Sequence, residues 1–144
     1  MNQSGMTLLR KIRAISLAAA TICLGLAASA GAEPSGVVIA VVQSSEAEGD
    51  TGRRVLFAAA PVYSGDRIVT GPIGEAQVKF RDNTKLVVGP NSMMIIDAFV
   101  FENNDTARKI SINAVRGAFR FIAGKSPKDV YSITTPTATI GVRG

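Results

Sequence analysis

The chain contains no histidine, no tryptophan and a single cysteine, Cys23. Without histidine there can be no His-based catalytic triad, no imidazole metal ligand and no side chain that ordinarily titrates near neutrality. One cysteine cannot close an intramolecular disulfide or build a thiolate zinc site. Most hydrolytic and redox chemistries are disfavoured by these absences alone. No pair of carboxylates is spaced as a general acid and base, and no nucleophile sits beside a base. The sequence reads as non-enzymatic, with no catalytic residues, no cofactor and no metal. What is present suits one globular domain: 144 residues, 47% of them hydrophobic, with Gly and Pro scattered along the chain.

The N-terminus is organised differently from the rest. Arg10, Lys11 and Arg13 precede an uncharged stretch of 15 residues, Ala14 to Ala28, and the small residues Ser29-Ala30-Gly31-Ala32 follow. A basic start, a short apolar middle and a small-x-small end make a helical signal peptide, residues 1–32, cleaved near Ala32. The apolar stretch is shorter than the roughly 20 residues a spanning helix needs. No transmembrane helix is therefore expected after cleavage. Cys23 follows Ile22 inside the apolar run, which does not suit a lipoprotein acceptor. The expected location is the bacterial periplasm or the exterior. The overall charge is +5, but the remaining 112 residues carry 13 basic and 11 acidic groups, a net +2. So small an excess does not point to nucleic acid.

From Gly36 onward the dominant period is two. Gly36 to Val42 is an apolar run suited to a strand buried on both faces. Gln43 to Arg54 is polar and reads as a loop, and Arg54 to Ala60 resumes apolar. These pieces make residues 33–60 a set of N-terminal strands and a polar loop leading into a domain at 61–144. Ala76, Val78 and Phe80 alternate with Gln77, Lys79 and Arg81. With Thr84 to Val88 they form a hairpin whose Asp82-Asn83 tip tolerates left-handed backbone. Met93 to Ile96, then Phe99 and Phe101, continue in strands. Val115, Gly117, Phe119 and Phe121 share one face of a later strand, with Arg116, Ala118 and Arg120 on the other. Val130 to Thr134 and Ala138 to Val142 complete the set. No sustained helical period occurs. The fold class is all-β: short antiparallel strands and hairpins forming a β-sandwich or a solenoid-like β-roll.

Several of these segments together resemble the FecR domain family. They are Gly65-Asp66-Arg67-Ile68-Val69-Thr70-Gly71, Gly74-Glu75-Ala76-Gln77-Val78-Lys79-Phe80, the Asp82-Asn83-Thr84-Lys85-Leu86 hairpin and the Gly89-Pro90-Asn91-Ser92 turn. The closing segments Tyr131 to Ala138 and Ile140-Gly141-Val142-Arg143-Gly144 fit as well, so that the likeness covers residues 61–144. Asn83 stands where the family usually has Gly. The resemblance implies an all-β extracytoplasmic domain. In the family's named regulators this domain passes a signal from an outer-membrane transporter to a cytoplasmic sigma factor. Those regulators carry a cytoplasmic helical segment ahead of the domain, whereas only 13 residues precede the apolar run here. The sigma-regulating role is therefore not carried over. Family members also usually continue past Val-Arg-Gly, so the chain is expected to be short or a fragment at its end.

The turn residues Gly65, Asp66, Gly71, Gly74, Asp82, Asn83 and Gly89 are read as backbone-shaping positions. Glu46, Glu48 and Asp50 lack the distal bidentate ligand of a calcium loop and read as solvated. The candidate partner-binding residues are basic. Lys79, Arg81 and Lys85 share the outer side of one hairpin, and Arg116 and Arg120 share the polar side of another strand. If the strands are neighbours, these five make a stripe for an envelope protein or an anionic cell-wall polymer. The expected function is a non-catalytic exported FecR-like binding or regulatory module of the cell envelope. The alternative is a structural envelope component assembling through exposed β edges.

Overall fold

The structure is a computed structural model that describes residues 31–103, 105–136 and 139–141. The leader reading falls almost wholly outside these residues. The first strand, β1 (Gly36–Val42), comes from the β-branched run. Next come β2 (Ser45–Gly49) and β3 (Gly52–Val55), then the two-residue β4 (Pro61–Val62) and β5 (Arg67–Thr70). The alternating segment gives β6 (Glu75–Phe80), which turns at Asp82-Asn83 into β7 (Lys85–Val88). The long strands β8 (Met93–Phe101) and β9 (Ala107–Arg116) follow, then β10 (Phe119–Ile122). A single 3-10 turn at Lys128–Val130 leads into β11 (Tyr131–Thr134) and β12 (Thr139–Gly141). The all-β class expected from the sequence is what the chain adopts. Among the described residues no helix is long and apolar enough to cross a membrane.

The strands form a five-stranded sheet, in the order β10-β7-β6-β1-β4, and a seven-stranded sheet, in the order β12-β11-β9-β8-β5-β2-β3. Both sheets point one face into a shared core. Val38, Val78, Phe80, Leu86 and Val88 come from the first, and Ile68, Met94, Ile96, Ile110 and Ile112 from the second. Phe80 and Phe99 bridge the layers, their rings stacked with centroids 5.0 Å apart. The architecture is therefore a two-layer sandwich. It includes one coil-like turn: β9 and β11 pair in parallel, with Ile112 opposite Ile133, and the chain between them passes through β10 in the other sheet.

The strands differ from expectation at three places. The polar segment 43–54 is a hairpin, not a loop, because β2 turns only the small residues Ser45 and Ala47 inward. Its outward Glu46 and Glu48 face Arg53 of β3 at 3.6 and 3.7 Å. Without large apolar residues the alternation is hidden. β1 is buried on one face only: Val37 and Ile39 are each 41% exposed, while Val38 lies in the core. The single strand expected through Val115 and Phe121 is two strands in different sheets. Gly117 takes a φ of +94°, and a Cβ there would collide with Ser92, so the chain turns out of β9 at this residue and enters β10.

Candidate functional site

Two buried carboxylates fix the turns of the sandwich. Asp66, 2% exposed, accepts hydrogen bonds from Tyr63 N at 2.8 Å, from Arg54 Nη1 at 3.1 Å and from Arg54 Nη2. The guanidinium also donates to the Pro61 carbonyl at 3.3 Å, so it joins β3, β4 and the turn before β5. Asp82 is fully buried at the β6–β7 tip. Its Oδ1 accepts from Thr84 N at 3.0 Å. Its Oδ2 accepts from Thr84 Oγ1 at 2.8 Å, Ser126 Oγ at 2.7 Å and Tyr131 Oη at 2.7 Å. The Ser126 hydroxyl in turn accepts from Ala107 N at 2.8 Å, and the Tyr131 hydroxyl from Gly124 N at 3.0 Å. One carboxylate thus ties the hairpin of the first sheet to the start of β9, the β10–β11 connection and β11.

Burial alone would raise the Asp82 carboxyl, but the hydrogen bonds from Tyr131, Ser126 and Thr84 outweigh it and hold it below its ordinary value. Burial lifts the Tyr131 phenol above its ordinary value, and its bond to the Asp82 carboxylate adds to the rise. Asp82, Ser126 and Tyr131 are buried, at 0%, 3% and 3% exposure. The serine gives its proton to the acid and the acid is held ionised, so the cluster is arranged as a fastening and presents no activated nucleophile. Reading Asp66 and Asp82 as turn residues left out their partners Arg54, Ser126 and Tyr131. The one available signal was the chemistry of Tyr131, a polar-tipped aromatic that seeks a partner when buried.

Open chemistry lies on the outer face of the five-stranded sheet. One cross-strand row runs Val37, Lys79, Lys85, Ile122, each opposite the next on β1, β6, β7 and β10. The adjoining row runs Ala40, Gln77, Val87, Arg120. A groove of about 470 Å³ crosses these strands, lined by Ile39, Gln77, Lys85, Val87, Arg120 and Ile122. Ile122 is 49% exposed. Among the described residues no carboxylate lies within 4.0 Å of Lys79, Lys85 or Arg120. Glu75, on the same face, is engaged by Gln77 Nε2 at 2.8 Å.

The structure brings together three of the five basic residues singled out from the sequence. Arg81 leaves the face: its guanidinium stacks 3.9 Å over the Phe101 ring and pairs with Glu33 at 2.6 Å. Arg116 ends β9 opposite Met93 in the other sheet, because the chain changes layers at Gly117. The sequence reading missed the apolar half of the face, Val37, Ile39 and Ile122. A run of β-branched residues in β1 gives no sign of which side meets solvent. The acidic side chains of β2 face Arg53 and, for Glu48, also Arg67 at 3.9 Å. Among the described residues no group of three His, Cys, Asp or Glu could hold a metal ion.

The hairpin with its Asp82 fastening, the β8–β9 pair and the closing strands all fall in one stretch, residues 66–144, which matches the model of the family described as FecR protein. The chain belongs to the FecR family. This is a regulatory, non-enzymatic family. The matched stretch of this FecR domain begins just before β5, so β1 to β4 precede it, yet β1 pairs with β6 and β2 with β5. The FecR domain is thus completed in both sheets by the strands ahead of it. A solved structure described as a cell surface anchoring domain is 27% identical, over 42% of this chain and 82% of that one, with a TM-score of 0.41. No curated protein matches.

Proposed function

We propose that this FecR domain is a non-catalytic, exported interaction module of the cell envelope, and that it docks its partner on the outer face of the five-stranded sheet. One observation carries the reading: Lys79 and Lys85 stand directly opposite each other, with no carboxylate within 4.0 Å of either among the described residues, between the exposed Val37 and Ile122. Like charges opposite one another in a ladder destabilise a sheet. Exposed apolar side chains on the same face add nothing to the core. A partner carrying negative charge and apolar surface relieves both costs. The export reading rests on the leader pattern at residues 1–32. The sigma-regulating role of the named regulators is not part of the proposal.

Site-specific photo-crosslinking in the living host tests this. A crosslinker at Ile39 or Ile122 should trap a defined envelope component, and one at Arg108, exposed on β9 of the other sheet, should not. Lys79→Glu with Lys85→Glu should abolish the trapped species. Equal trapping from both sheets, or recovery of the protein from the cytoplasm alone, would refute the reading.

A further inference from the structure

The proposed docking face ends at a strand edge that no other strand covers among the described residues. β10 is terminal in its sheet and among the described residues pairs only with β7. An edge strand offers a row of backbone donors and acceptors to any extended chain of suitable pattern. Proteins usually blunt such edges by shortness, proline or charge. β4, at the opposite end of the sheet, has two residues and begins with Pro61. β3, an edge of the other sheet, carries Arg53 and Arg54, both already engaged by carboxylates. β10 has no proline, and its one charge, Arg120, lies on the outer face with no carboxylate within 4.0 Å among the described residues. Its four residues alternate Phe119, Arg120, Phe121, Ile122. Phe119 and Phe121 pack against the core yet stay half-buried, so the side of the core is open along this edge.

We infer that β10 accepts an added strand from an acidic, amphipathic segment of a partner protein, in which apolar and carboxylate side chains alternate. This deepens the docking proposal above and rests on it. The register follows from the period of two. Inward side chains of the added strand meet Phe119 and Phe121 and extend the core by one strand. Outward side chains fall on the docking face, one strand spacing of about 4.8 Å from β10 and two from β7. Glutamates there reach Arg120 directly and Lys85 past Ile122. The partner's charge is set by Lys79, Lys85 and Arg120, and its apolar half by Phe119, Phe121 and Ile122. An anionic polysaccharide satisfies only the first of these conditions, since it has no apolar side chains to lay along the phenylalanines.

The probe is a synthetic peptide of alternating valine and glutamate, titrated into the full chain with amide hydrogen exchange as the readout. Binding should slow exchange within β10 at least about tenfold at saturation, by giving its outer edge a hydrogen-bonded partner. The same peptide with alternate backbone amides methylated, and a scrambled peptide of equal composition, should leave β10 unchanged. Arg120→Glu, an exposed substitution whose thermal melt serves as the folding control, should weaken the peptide about tenfold. Three results would overturn the inference. Binding of dextran sulfate to this face while the peptide leaves β10 unprotected would leave the docking face standing and remove the added strand. Protection of β10 that grows with protein concentration without peptide would make a second copy the occupant. Failure of both peptide and polyanion to perturb Lys79, Lys85 or Arg120 would remove the docking face as well.

Discussion

Replacing Asp82 by asparagine changes the fastening between the sheets by one atom. The amide fits the same space, so the effect reports hydrogen bonding rather than a cavity. Oδ2 accepts three hydroxyl protons and Oδ1 one backbone amide. The asparagine carbonyl is best placed at the Oδ2 position, which keeps the three hydroxyls as donors but removes the negative charge that strengthens each bond. The NH2 group then faces the Thr84 N–H, donor against donor. One lost bond and an unsatisfied buried donor, together with three weakened bonds, amount to about 2–4 kcal/mol. For a domain of this size that is a fall in melting temperature of about 8–16 °C. The pH dependence is a second signature. The carboxyl is held below its ordinary value of 3.8 in the folded state, so its contribution is complete above that value. It is lost as pH falls from there through the depressed folded value. Asp82→Asn should therefore remove part of the acid limb of the stability curve as well as lowering the plateau. Urea denaturation between pH 2.5 and 7 measures both. A variant within about 0.5 kcal/mol of the parent across that range, the scatter expected of a surface change, would refute the account of Asp82.

At the alkaline end the sign reverses: Tyr131 titrates above its ordinary 10.0, so its contribution is full below that pH and lost as pH rises through the raised value. Tyr131→Phe should flatten that limb and cost about 1–3 kcal/mol at neutrality by stripping a bond from Asp82 and one of the two acceptors of Gly124 N, read by urea denaturation extended from neutrality to above pH 10. Gly117→Ala should destabilise by at least about 2 kcal/mol in thermal melts, because the added methyl meets both a positive φ and Ser92. Glu48→Gln, which touches two exposed ion pairs at 3.7 and 3.9 Å, should stay within about 0.5 kcal/mol in the same assay at physiological salt.

The sequence was legible where one face of a strand carries large apolar residues. Ala76, Val78 and Phe80 show the inward side of β6 directly, and Asn83 takes the left-handed φ of 67° that the hairpin tip requires. It was opaque where the inward residues are small or the ladder slips. β2 hides behind Ser45 and Ala47. β8 keeps one strand through Asp97 only because its pairing with β9 shifts register between Ile96 and Ala98. Sheet membership was opaque as well, since it is decided by the turn at Gly117 rather than by alternation on either side. The basic residues of the outer face of the five-stranded sheet were visible as types. Which of them share a surface depended on that same turn.

Asp82 and Tyr131 are 49 residues apart in the chain, and Asp82 and Ser126 are 44 apart. During synthesis the hairpin tip therefore emerges long before the hydroxyls that satisfy its acid. Any N-terminal portion ending short of Ser126 keeps the two Thr84 bonds to this carboxylate but lacks those of Ser126 and Tyr131, so closing the two layers over it costs more. Closure of the large loop then coincides with the arrival of the last strands. Completion of the sandwich is thus favoured late, by the two hydroxyls that the closing segment brings to a single carboxylate.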